Sequence, residues 1–172
     1  RIHCQFLKPL NINGKAPAIA MFHGYWSNSG EWMGKMGFIS EGFCVLAMDV
    51  RGQGGTSEDN GVFSKGNTQS GHIIRGVEDD NPDNLFYRNV FLDTAQCVRI
   101  LMSMDFVDES KIFATGASQG GALSIACASL VPELRGVYAV YPFLCDYRGI
   151  YQSKFECECY EELTWYFRLR DH

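Results

Sequence analysis

Apolar residues arrive in two rhythms along this chain. Short apolar runs at 18–22 (AIAMF) and 43–50 (FCVLAMDV) read as buried strands, and those at 111–115 (KIFAT) and 136–140 (GVYAV) as two further strands. Each run stops abruptly, at His23-Gly24, at Gly52-Gln53-Gly54-Gly55, at Gly116 and at Tyr141-Pro142. Between the runs the rhythm changes. Residues 31–39 suit a short helix before a turn at Gly42. Over 87–104, Val90, Thr94, Cys97, Leu101 and Met104 recur every three or four positions and make one helical face. Residues 122–130 are small and apolar, a closely packed helix ended by Pro132. Strand, helix, strand, excursion, helix, strand, helix, strand is the order expected of an α/β fold. It predicts a mostly parallel sheet with helices on both faces.

Two stretches break the alternation. Residues 56–84 are rich in Gly, Ser, Asn and Asp and read as a long loop excursion outside the core. Residues 151–172 interleave Glu156, Glu158, Glu161 and Glu162 with aromatic residues, as an amphipathic helix opening a lid or insertion would. That charge run is expected to be a solvated face with no chemistry.

Composition narrows the function classes. At 172 residues, 46% hydrophobic and 20% charged, the chain is long enough for one core and too short for two domains. A net charge of -5 without a Lys/Arg-rich run gives no footprint for nucleic acid, and no apolar stretch is long enough to span a membrane. Seven irregularly spaced cysteines, several inside apolar runs, are expected to be buried reduced thiols. Cys157-Glu158-Cys159 lacks the second Cys/His pair a metal site would need. No cofactor is implied. The first residue is Arg1, so the chain is expected to be a single domain cut from a longer protein, incomplete at both ends.

The chemistry concentrates at Gly116-Ala117-Ser118-Gln119-Gly120, which fits G-x-S-x-G with a strand before it and a helix after it. A nucleophilic serine must stand on a tight strand-to-helix turn, which crowds the positions two before and two after it. Hence glycine at 116 and 120. The N–H of Gln119, at the helix start, is one expected oxyanion donor. The other is the N–H of Tyr25, in the loop after the 18–22 run. A glycine-rich turn without a nucleophile is the plainer alternative. G-x-G-x-x-G and the P-loop pattern are both absent.

No general base is visible. His23, at a strand end, reads as structural. His3, His72 and the terminal His172 are badly placed, and Asp146 comes before the usual position of the acid. The base and its orienting acid are expected beyond residue 172.

Arg51-Gly52-Gln53, Arg88-x-Val90-Phe91-x-Asp93, Gly116-x-Ser118-Gln119-Gly120-Gly121 and Tyr141-Pro142-Phe143-Leu144-Cys145 occur in the order and spacing of carbohydrate esterase family 7. Residues 71–76 (GHIIRG) resemble the stretch between its first two motifs. The chain thus resembles the acetyl xylan esterases and cephalosporin C deacetylases, with the α/β-hydrolase fold. The resemblance implies a metal-independent deacetylase of small acetylated sugars and cephalosporin-type acetates. Ser118 would be its nucleophile, and Tyr25 and Gln119 its oxyanion donors. Arg51, Gly52 and Gln53 would bind substrate or support the site. It also implies a cytoplasmic, hexameric whole protein. A prolyl-oligopeptidase-like peptidase and a non-catalytic hydrolase-like binding module are the alternatives.

Overall fold

In the computed structural model, which describes residues 1–59, 70–153 and 158–170 (Cys159 without its side chain), the apolar runs pair into one sheet. Its strands are β1 (Cys4–Leu7), β2 (Ala16–Phe22), β3 (Cys44–Met48), β4 (Val107–Ala117) and β5 (Gly136–Val140), in the order β1-β3-β2-β4-β5. β2, β3, β4 and β5 run parallel, and only β1 is antiparallel, at the edge beside β3. β3 is buried at every position, which is why it reads as an unbroken apolar run.

Among the described residues there are five α-helices, four of them in the predicted order. They are α1 (Met36–Ser40), α2 (Phe86–Met102), α3 (Gln119–Leu130), α4 (Tyr147–Ser153) and α5 (Glu161–Arg168). α2 turns Val90, Thr94, Cys97, Val98 and Leu101 inward and packs with α3 over β2 and β4. A 3-10 turn at Trp32–Lys35 replaces the first half of the helix expected over 31–39. Lys35 is buried there, its Nζ donating to the carbonyls of Ser29, Gly30 and Glu31 at 2.6, 3.3 and 3.0 Å.

Several expectations shift. β1 and α4 went unread. β4 starts four residues earlier than expected, and α3 starts at Gln119, with Gly120 and Gly121 inside it. Within the excursion, His72 and Ile73 are buried, at 1% and 6% exposure, so that segment contributes to the core. Cys44, Cys97 and Cys127 are buried free thiols, but Cys145 is exposed and Cys4 half-buried. Cys157 and the Cys159 side chain lie outside the described residues.

A carboxylate knots the end of β3. Asp49, 3% exposed, accepts from the Ser29 N–H (2.6 Å), the Thr56 N–H (3.0 Å) and His3 Nδ1 (2.7 Å). Burial pushes its pKa up, but the bonds from Ser29, Thr56 and His3 outweigh it and hold the carboxyl at about 2. A carboxyl held below its unfolded value stabilises the fold above that value. The contribution disappears as pH falls from about 4 to about 2. Asp49→Asn should therefore lose about 2 kcal/mol near neutrality and show less acid dependence over that window. Urea titrations of the full-length protein between pH 2 and pH 7 would check this. Parallel stability curves for the variant and the parent across the window would refute it.

Candidate active site

Ser118 sits between the end of β4 and the start of α3 with φ 55 and ψ −121. A residue with a β-carbon rarely adopts such a backbone, which costs of order 1–3 kcal/mol. Three backbone bonds hold it. The Ser118 N–H donates to Val140 O at 3.0 Å, and Ser118 O accepts the Phe143 and Ala122 N–H groups at 2.9 and 3.2 Å. The flanking glycines are required by contact. A methyl on Gly116 would lie 2.5 Å from Phe22 O, and one on Gly120 would lie closer still. The tip of β2 thus presses directly on the serine turn.

Gly24, just past β2, faces the serine: a methyl there would lie 4.0 Å from Ser118 Cβ. Tyr25 is next, on a turn closed by Ser27 N–H to Gly24 O at 3.2 Å. Among the described residues, no hydrogen bond takes up the backbone N–H of Tyr25 or of Gln119. Two uncommitted amides therefore lie on the segments next to the half-buried Ser118, one in the turn after Gly24 and one at the start of α3.

A buried polar network ties these two segments together. Gln119, fully buried, exchanges two bonds with the buried Gln53: Gln53 Nε2 to Gln119 Oε1 at 2.7 Å, and Gln119 Nε2 to Gln53 Oε1 at 3.0 Å. Gln119 Oε1 also accepts the Tyr87 hydroxyl at 2.7 Å, and its Nε2 donates to His23 O at 3.3 Å. The Gln119 side chain thus uses two donors and two acceptor sites. Of the Arg51-Gly52-Gln53 trio, Gln53 joins this network. Arg51 turns to α2 and forks onto Asp93 with two bonds of 2.7 Å. Gly52 bends with φ 68 against Asp59.

The described histidines are engaged elsewhere. His23 Nε2 accepts the Val50 N–H at 2.9 Å, so its proton sits on Nδ1, which donates to Gly24 O at 2.7 Å. Burial lowers its pKa and favours this neutral form. His3 bonds Asp49, and His72 stacks on Phe86 with centroids 4.6 Å apart. His172 lies outside the described residues. Asp146 accepts the Gly149 N–H at 3.1 Å, at the start of α4.

Glu162 is the residue sequence reasoning missed. Placed with a solvated charge run, it is half-buried, and its Oε1 accepts the Tyr25 hydroxyl at 2.5 Å. Burial first, then this carboxylate, raise the Tyr25 pKa, so the phenol stays a donor. Nothing local marks Glu162, because its partner is far away in sequence. Among the described residues, no His/Cys/Asp/Glu group could hold a metal ion, and no helix is long and apolar enough to cross a membrane.

The chain resembles known proteins in sequence and in structure. Residues 1–172 match the family model described as acetyl xylan esterase (AXE1). The structure resembles acetyl xylan esterase 1 from Thermoanaerobacterium sp. JW/SL YS485, with 51% identity and a TM-score of 0.91, covering 99% of this chain and 53% of that one. It also resembles the acetyl xylan esterase from Paenibacillus sp. R4, with 32% identity and a TM-score of 0.85, covering 97% of this chain and 52% of that one. A curated relative, acetyl esterase Axe7A of Xylanibacter ruminicola, is 27% identical over 120 residues, covering 68% of this chain and 27% of its own length. The fold is thus that of the α/β-hydrolases, and the chain spans about half the length of these solved relatives.

Replacing Gln53 by Leu would leave buried polar atoms of Gln119 without partners, at about 1–3 kcal/mol. Gly120→Ala would press on Phe22 and separate β2 from α3. In the full-length protein both variants should unfold at lower urea than the parent. An alanine variant at 120 with parental stability would contradict the close approach.

Proposed function

The chain belongs to the acetyl xylan esterase family, and on that premise we propose that its whole protein is a serine ester hydrolase. Its substrates would be acetylated xylo-oligosaccharides and related sugars, and acetate esters of the cephalosporin type. The observation that carries this reading is the strained Ser118 turn, flanked by the uncommitted N–H groups of Gln119 and Tyr25. In this reading a small acetyl carbonyl would approach Ser118 with its oxygen toward the two amides.

In the proposed reaction, Ser118 Oγ attacks the acetyl carbonyl carbon as a base takes the hydroxyl proton. The carbonyl oxygen becomes an anion, held by the two N–H groups and by the positive end of α3. Collapse breaks the bond to the sugar oxygen, which leaves as an alcohol carrying the proton from the base. Water then attacks the acetyl-serine by the same sequence in reverse order of groups, releasing acetate and restoring the hydroxyl. The described histidines serve other bonds, which supports assigning the base and its carboxylate to the part of the protein absent from this chain. Gln53 would hold Gln119 in place, and Arg51 would hold the loop bearing Gln53 to α2.

Ser118→Ala in the full-length enzyme should lower kcat/KM on 4-nitrophenyl acetate by about 10⁴-fold or more. Activity within about tenfold of the parent would end the nucleophile assignment. Acetylated xylo-oligosaccharides should be turned over and peptide amides should not. The reverse preference would favour a peptidase.

A further inference from the structure

The first turn of α5 faces the site. Glu162 receives two donors at once, the Tyr25 hydroxyl on Oε1 at 2.5 Å and the Ile73 N–H on Oε2 at 3.0 Å. The Tyr25 hydroxyl in turn accepts the His72 N–H at 3.2 Å. Its ring is enclosed by Trp26, His72 and Phe143, with centroids 5.1, 6.0 and 5.7 Å away. Two residues before Glu162, the buried Tyr160 packs its ring on Phe143 with centroids 4.8 Å apart, and its hydroxyl donates to Cys145 O at 3.2 Å. Phe143 closes the circuit by donating its N–H to Ser118 O at 2.9 Å.

Residues 160–162 therefore touch both segments beside Ser118, the Tyr25 loop through Glu162 and Phe143 through Tyr160. Glu162 fixes the loop that carries the Tyr25 N–H. Tyr160, through Phe143, fixes the turn that carries Ser118 and the Gln119 N–H. We propose that this stretch is a brace setting the separation of the two amides, with Glu162 a positioning residue that acts through the Tyr25 phenol. The inference rests on Tyr25 and Gln119 being the oxyanion donors. A carboxylate suits the place because both groups aimed at it, a hydroxyl and an amide N–H, are donors. Oxygen charge is greatest in the tetrahedral state, so a slackened brace weakens that state more than it weakens substrate binding.

In the full-length enzyme, Glu162→Ala and Tyr25→Phe should each lower kcat on 4-nitrophenyl acetate about tenfold, with KM changed less than about twofold. The double variant should be no slower than the slower single, because both cut the same bond. Inhibition by 1,1,1-trifluoroacetone, whose serine adduct carries the tetrahedral oxyanion, should weaken by the same factor as kcat. Glu162→Gln retains an acceptor for the phenol but sets its NH2 against the Ile73 N–H, and should recover part of the rate. Unchanged kcat in Glu162→Ala, a raised KM at unchanged kcat, or losses that multiply in the double variant would each overturn the brace. If Glu162→Ala does not fold, Tyr25→Phe decides by the same kcat and ketone readouts. Ser118→Ala, run alongside, separates the two readings. An active Ser118→Ala enzyme sinks the serine mechanism, whereas an inactive one beside a normal Glu162→Ala enzyme sinks the brace alone.

Discussion

The carbonyl of Phe22 lies where two glycine Cα atoms pass, and the geometry around Ser118 follows from that contact. Because Gly116 and Gly120 carry no side chains, the end of β2 can press into the crook between β4 and α3. The crook can then close sharply enough to force Ser118 into its left-handed backbone. Strain of this kind persists only where the surroundings over-determine it. Here Val140 O accepts from the Ser118 N–H, and the Phe143 and Ala122 N–H groups donate to Ser118 O.

A second layer of support is polar and buried. An amide pair inside a protein is costly if any of its atoms lacks a partner, and it fixes geometry well when all are matched. Gln53 and Gln119 meet that condition with help from Tyr87 and the His23 carbonyl. The pair therefore orients three chain segments: the loop after β3, the start of α3 and the end of β2. A leucine pair of similar volume would fill the space without fixing that orientation.

The strands and the serine turn were legible because their signals are local. Apolar runs mark strands, whether buried throughout as β3 or left partly exposed as β5, and G-x-S-x-G carries its own steric reason. The misses have physical causes. β1 is four residues at an antiparallel edge, with no apolar run to announce it. After the buried Val107, β4 runs through Asp108, Glu109 and Ser110, polar residues that lengthen the strand without an apolar run to mark it. Gly120 and Gly121 look like turn residues, yet they begin a helix because the close crossing needs their bareness. Gln53 could be seen in its motif, but its partner Gln119 is 66 positions away. Glu162 lies 137 positions from Tyr25 and resembles its solvated neighbours in every local respect. Long-range polar pairing leaves no periodic trace in a sequence.

The imidazole of His23 has a consequence for the ends of β2 and β3. β2 and β3 pair in register as far as Phe22 and Met48. Past that point the ring of His23 takes the place of a backbone partner, accepting from one peptide and donating to another. It behaves as an extra rung, wider than a direct amide-to-carbonyl bond, that keeps the two chain segments tethered. The Val50 amide and the Gly24 carbonyl are thereby satisfied without a direct bond between the two backbones.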